Sequence, residues 1–268
     1  MFLRLREMIR QRRNREGLYS TAAYWDYKAN TLAGDAVSMW PNNALNPLYD
    51  QEQTAIIERY VGRVQGLDLL DLGCGTGRFS RMFTAQGART TGVDFAASAL
   101  AIAQSQSSGG NPTYRQCSVF ELAEENAYDV VFTWGVLTIA CRDRDQLLDA
   151  LKRIRRALRS NGRLLLTEPI HRGFLHRVLN MGRADFLAVM REAGFDIKAT
   201  TPVHFWPMRL ALAYIPWPAW ITVPLFHAGQ AAMKLPGLST LGDYLAILAY
   251  PVETAGSNTS VAAGDGRH

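Results

Sequence analysis

Gly73, Gly75 and Gly77 alternate along a short turn between an apolar run (67–72) and a helix-forming stretch (77–86). Glycines in such a turn bring backbone N–H groups and a helix N-terminus close to a ligand, where a larger side chain would block the approach. Two carboxylates frame the turn: Asp71 just before it, and Asp94 at the end of the next apolar run (90–94). Asp71 would repel a pyrophosphate but suits a cationic amino-acid group. Asp94 can accept both hydrogen bonds of a ribose diol, with a helix cap as its plainer alternative. A dinucleotide turn spaced G-x-G-x-x-G would carry its third glycine at position 78, where this chain has Arg78. The charge pattern therefore favours a cationic amino acid joined to a ribose over a dinucleotide.

The elements that must position these groups alternate regularly. Strands are predicted over 67–72, 90–94, 113–117, 129–133 and 163–167, with helices over 51–61, 77–86, 96–105, 146–159 and 183–193. Such alternation implies a parallel sheet covered on both faces. Asn161 and Gly162 are read as ending the helix that carries Leu147, Leu151, Ile154 and Leu158, and Gly194 as ending the last one. Residues 244–250 read as a final strand.

The segments Leu70-Asp71-Leu72-Gly73-Cys74-Gly75-Thr76-Gly77 and Gly92-Val93-Asp94 resemble the first two motifs of class I S-adenosylmethionine-dependent methyltransferases. The resemblance extends through Tyr128-Asp129-Val130-Val131-Phe132, Gly135-Val136-Leu137 and Glu168-Pro169, covering roughly residues 60–170, and Ala193-Gly194-Phe195 is similar to the family's closing element. It implies a Rossmann-like, doubly wound α/β fold whose seven-stranded sheet is mostly parallel, and S-adenosyl-L-methionine as cofactor. It further implies that Asp71, Gly73, Gly75, Thr76 and Gly77 frame the methionine part, that Asp94 and Phe95 hold the ribose and flank the adenine, and that Thr133 and Trp134 form the floor beneath the sulfonium. Where the family often has an acid that accepts from the adenine amino group, this chain has Ser118, which can accept one hydrogen bond beside the backbone of Val119. Tyr19, Tyr24 and Trp25 resemble residues that fold over the donor, with packing on the sheet edge as the alternative.

Three additions to the 61–252 domain are expected: an N-terminal helix and aromatic lid (1–60), an apolar helical cap inserted at about 203–240, and a disordered tail (253–268). Phe2, Leu5 and Ile9 lie at helical spacing among arginines, the pattern of a short basic amphipathic helix that could rest on an anionic membrane or dock on the domain. Residues 1–16 hold six arginines against two glutamates and so supply most of the chain's net charge of +5. A second basic stretch, 152–159, reads as a solvated helix face, and no nucleic-acid-binding motif accompanies it. Residues 210–226 carry no acidic or basic side chain after Arg209, but Pro216, Pro218 and Pro224 argue against a regular membrane span. Cys74, Cys117 and Cys141 have no metal-ligand or C-x-x-C spacing, which with the lack of a hydrophobic signal region suggests a reducing cytoplasm; Cys74 reads as a small filler of the turn.

In-line methyl transfer needs positioning first, and a base only for some acceptors. For a hydroxyl acceptor the candidate bases are His171 and His204. The expected activity is methylation of a small apolar or amphipathic acceptor, O-methylation above all. A lipid-linked or quinone-like acceptor at a membrane surface is the nearest alternative, and a fold relative that binds the donor without transferring its methyl group is the alternative of another class.

Overall fold

The computed structural model describes residue 19 and residues 21–31 and 40–252. The basic N-terminal helix and the tail 253–268 anticipated above lie outside the described residues. Seven strands, β1 (Asp68–Leu72), β2 (Arg89–Asp94), β3 (Thr113–Gln116), β4 (Tyr128–Trp134), β5 (Leu158–Glu168), β6 (Phe195–Phe205) and β7 (Gly242–Pro251), form one sheet in the order β3-β2-β1-β4-β5-β7-β6. All adjacent pairs are parallel except those of β7, which runs antiparallel to both β5 and β6. This is the mostly parallel, doubly wound arrangement expected.

The helices are α1 (Ala22–Thr31), α2 (Asn46–Val61), α3 (Arg78–Ala85), α4 (Ala97–Ser105), α5 (Leu137–Ala140), α6 (Arg144–Ala157), α7 (Arg183–Glu192), α8 (Trp206–Leu212) and α9 (Ala219–Met233). Because side chains alternate across a strand, β1 sends Leu70 and Leu72 to one face and Leu69 to the other. The first face is covered by α6 and α7 through Leu147, Leu151, Ile154, Phe186 and Met190. The second is covered by α2 and α3 through Ile57, Val61 and Phe83. Helix α2 thus runs past residue 60 and covers the sheet.

Two local expectations change. Helix α6 ends at Ala157, before Asn161-Gly162, because Leu158 already pairs with Tyr128 in the sheet. The segment 195–205 is a strand the sequence did not suggest: it lies at the sheet edge, where Lys198 and Pro202 are tolerated on a strand paired along one side only. The aromatic segment contains a regular helix, α1. Its Asp26 accepts a hydrogen bond from Ser98 N (2.9 Å), supplying an N-terminal partner that α4 lacks, since its own N-cap is Ala96. Trp25 and Ile102 pack on Ala96 and Ala99.

The 203–240 region folds as α8 and α9 between β6 and β7, with Pro218 at the N-cap of α9 and Pro224 inside it. Leu212, Ala213 and Phe226 pack against Leu45 and Tyr49, joining the insertion to the chain before the first strand. Among the described residues, no helix is long and apolar enough to cross a membrane.

Candidate donor and acceptor site

The first five strands end on one edge of the sheet, and β6 runs in the same direction while β7 begins there. The sequence-identified groups from 71 to 134 therefore converge at a crevice outside the carboxyl ends of β1, β2, β3 and β4. The glycine turn is fixed from behind: Gly73 N and Cys74 N both donate to the Val93 carbonyl, at 2.7 and 3.0 Å. All three glycines have positive φ. A Cβ on Gly73 would lie 2.2 Å from Val136 Cγ2 and one on Gly77 2.3 Å from the Tyr114 hydroxyl, whereas one on Gly75 would meet nothing within 4 Å. Gly73 and Gly77 are thus required for packing, while Gly75 faces open space.

Asp94 is bound at both oxygens: Gly75 N donates to Oδ2 (2.8 Å) and Ala96 N to Oδ1 (2.9 Å). Each oxygen keeps a second lone pair for a ligand hydroxyl, and Asp94 is not the N-cap of α4. Burial raises its pKa, against the opposing pull of these backbone donors. Asp71 accepts from Ser80 Oγ at 2.5 Å. Burial, helped by the nearby Asp94 charge and opposed by Ser80 and Arg78, pushes the Asp71 carboxyl up to about 7. Open space at Gly75, with two buried carboxylates beside the turn, fits a ribose-bearing cationic amino acid. Burial also pushes the Cys74 thiol up, as befits a packing residue.

Phe95 is half-buried where β2 ends, and its carbonyl accepts from Gln116 Nε2. Ser118 caps the short turn Val119–Glu121: its Oγ accepts from Phe120 N (3.3 Å) while Glu121 Oε2 accepts from Ser118 N (3.0 Å). Its oxygen is partly committed within its own turn. Val119 is buried, as is Thr133, whose hydroxyl has no hydrogen-bond partner among the described residues. Thr76 lends its carbonyl to Arg81 (2.7 Å). Trp134 sits in an aromatic group with Phe79, Phe132, His204 and Tyr244, its ring centroid 6.0 Å from His204 and 6.1 Å from Tyr244. Tyr24 meets Tyr19 and Trp25 edge-on, and burial raises its hydroxyl to about 12.

The two histidines differ in what their rings can still do. His204, 2% exposed, holds a positive φ of 59°. Glu52 clamps its backbone N (3.1 Å) and Nδ1 (2.8 Å), and Gln53 Nε2 lies 3.2 Å from the remaining ring nitrogen. Gln53 is in turn held, with Asp50, by Arg78, the residue at the missing third glycine. His204 therefore has both nitrogens engaged. His171 binds Asp243 Oδ1 through Nε2 (3.1 Å), and among the described residues Nδ1 has no partner. Burial alone would raise the Asp243 pKa, but Arg209, the His171 hydrogen bond and Arg177 outweigh it and hold the carboxyl below its usual range.

Glu52, Arg177, Arg209, Asp243 and Tyr244 belong to this site and carry no motif. Glu168 was legible only as part of the family pattern. Its carboxylate is fully buried and gathers Val136 N, Leu137 N, Thr138 N and Thr138 Oγ1 at 2.7–3.0 Å, fixing the loop that follows Trp134.

Residues 69–162 match the family model described as a methyltransferase domain. A ubiquinone biosynthesis O-methyltransferase from Nitrosospira multiformis is 38% identical over 97 residues, which is 34% of this chain and 40% of that protein. The protein of the same name from Acinetobacter baylyi is 26% identical over 190 residues, 63% of this chain and 78% of its own. Thus the match spans only about two fifths of the length of the first of these relatives. An S-adenosylmethionine-dependent methyltransferase structure from Mesorhizobium loti is similar with a TM-score of 0.56 at 17% identity, covering 74% of this chain and 97% of that one. The family match and the strand order fall on the same strands: residues 69–162 carry a methyltransferase domain, on the fold of S-adenosylmethionine-dependent methyltransferases.

Proposed function

We propose that this protein transfers a methyl group from S-adenosyl-L-methionine to a hydroxyl of a small, largely apolar acceptor, with His171 as the base. The observation that carries the reading is the continuity of the site: the open turn at Gly75 and the aromatic group around Trp134 and Tyr244 lie at one sheet edge, and the His171–Asp243 pair adjoins Tyr244 there. The names of the Nitrosospira and Acinetobacter relatives support an O-methylated, quinone-like acceptor.

Asp71 would pair with the ammonium of the donor's amino acid, Asp94 and Phe95 with its ribose and adenine, and Ser118 and Val119 with the adenine edge. When bound, S-adenosyl-L-methionine supplies an electrophilic methyl group on a sulfonium. Thr133 and Trp134 floor that position, and Tyr24 on α1 covers it. Asp243 fixes His171 with Nε2 as the donor nitrogen, leaving the Nδ1 lone pair to take the hydroxyl proton. The test is calorimetry with S-adenosylhomocysteine followed by tritiated-methyl transfer to a cell extract. Binding together with labelled small molecules supports the reading; binding without transferred label overturns it in favour of a non-methylating relative.

The raised pKa of Asp71 gives donor binding a pH dependence. Between pH 5.5 and 7.5 the affinity for S-adenosylhomocysteine is expected to rise as Asp71 ionises through about 7, and Asp71→Asn to flatten the rise. A flat wild-type profile would contradict the pairing. For folding the sign is opposite: the stability that protonated Asp71 gives the ligand-free protein is complete below the ordinary value of 3.8 and lost as the pH rises through about 7.

A second reading, an acceptor held at a membrane surface, is favoured by the exposure of Ile215, Trp217, Trp220, Leu225 and Leu235 in and beside the insertion, with Trp220 77% exposed. Flotation with anionic liposomes tests it. Binding by the whole chain, reduced by Trp220→Ser and by removing residues 1–16, is expected under this reading; no flotation of the whole chain removes it.

A further inference from the structure

Where β7 begins, two guanidinium groups approach one carboxylate and a third reaches the backbone beside it. Asp243, 1% exposed, faces Arg209 (Nε to Oδ2 2.6 Å, Nη2 to Oδ1 3.2 Å) and lies 4.0 Å from Arg177. Arg183 reaches the carbonyl of the adjoining Gly242. Positive charge exceeds negative in a region largely withdrawn from water, an imbalance that is costly unless an anion completes it.

The arginines are not equivalent. Arg209 is 1% exposed and commits its donors to Asp243 and to the Tyr214 hydroxyl (3.2 Å), so it acts as a strut. Arg183 is tied to backbone. Among the described residues, Arg177 has the 4.0 Å approach to Asp243 as its one ion-pair contact and makes no hydrogen bond, although its side chain is only 15% exposed. Tyr19, Tyr24, Tyr214 and Tyr244 lie within electrostatic reach of it. A guanidinium presents five donors in a planar fork matched to oxyanions, and here the surrounding side chains are phenols, which can donate as well. Asp243 does not need it, being neutralised by Arg209 at 2.6 Å.

We infer that Arg177 anchors an anion subsite, and that the methyl acceptor carries an anionic oxygen group, a carboxylate or a phosphate, which docks on Arg177 among Tyr19, Tyr24, Tyr214 and Tyr244. This rests on the proposed methyl transfer for its word acceptor and on the arginine cluster for its chemistry. Tyr244 links the two: its ring packs on Trp134, at the floor of the methyl site, and it lies within electrostatic reach of Arg177. The Asp243 that orients His171 is the same residue that Arg177 approaches, so an aromatic acid held by its anionic end is presented to the base.

Calorimetry on the whole chain with benzoate, phenyl phosphate and benzamide, with and without saturating S-adenosylhomocysteine, tests the subsite. Benzamide copies the shape of benzoate without its charge. At least one of the two anions is expected to bind about tenfold or more tightly than benzamide, and Arg177→Gln to remove that preference, since a hydrogen-bonded charge contact of this kind supplies about 1.5–3 kcal/mol. Whichever anion is preferred names the source, carboxylate or phosphate. Arg177→Lys, which keeps the charge but loses the fork, is expected to fall between, and serves if the glutamine variant does not fold. Equal binding of all three probes, no binding of either anion at millimolar concentration, or an undiminished preference in both variants would overturn the inference. Because the preference is also read without S-adenosylhomocysteine, failure of that ligand to bind the wild type would count against the donor assignment and not against the subsite.

Discussion

Replacing Glu168 by alanine is expected to cost about 4 kcal/mol, because it leaves three backbone N–H groups and one hydroxyl buried without an acceptor, and an unsatisfied buried polar group costs about 1–3 kcal/mol. The groups are those of Val136, Leu137 and Thr138, all within 3.0 Å of the carboxylate. Four separate penalties do not add in full, since the loop can move to let water in, and the same movement displaces Trp134 from its aromatic neighbours. For a domain of this size the loss corresponds to a fall in Tm of about 8–16 °C, measured by thermal unfolding. Glu168→Gln separates charge from shape. It keeps one acceptor oxygen but turns an NH2 group toward donors, so it is expected to lose most of what alanine loses. A glutamine variant as stable as the wild type would show that one neutral acceptor oxygen is enough to hold the loop.

His171→Ala is expected to lower kcat for a hydroxyl acceptor by about a hundredfold or more, the usual contribution of a positioned base, with little change in KM. Its signature is the pH profile. In the variant, kcat should climb with pH as the acceptor hydroxyl ionises by itself, and more steeply than in the wild type, where a base takes the proton. A residue that merely positions the acceptor would shift KM and leave the shape of the profile alone. His204→Ala serves as the contrast. With Glu52 and Gln53 on both ring nitrogens and the tilted Tyr49 ring 4.1 Å away, its loss should appear in unfolding rather than in this profile.

The donor half of the site was legible because it is local. Asp71, the glycines and Asp94 lie within 24 residues on two buried strands whose apolar runs are hard to mistake, and the turn between them has a backbone requirement that few sequences meet. The proposed acceptor half is assembled from residues 171 to 244, drawn from the ends of different elements. Nothing around Arg177 or Asp243 in sequence distinguishes them from surface charges. Only the reversal of β7 beside β5 brings them together. Strand β6 was hidden for a related reason: at the edge it is half-exposed, so its polar and apolar residues alternate without the long apolar run that marks the inner strands. The role of Glu52 was hidden because a glutamate on a solvated-looking helix gives no sign that it will clamp a histidine 152 residues away.

The antiparallel placement of β7 also separates two inheritances. Residues up to Trp134 build the proposed donor crevice, whereas the stretch leaving β6 and returning on β7 lies opposite it and joins the sheet through the antiparallel pairing of β6 with β7. A chain of this topology can exchange that stretch as a cassette, ends included, without disturbing a hydrogen bond of the glycine turn. A chimera carrying 203–241 from a relative would be a direct way to ask whether acceptor choice travels with those residues while donor affinity stays behind.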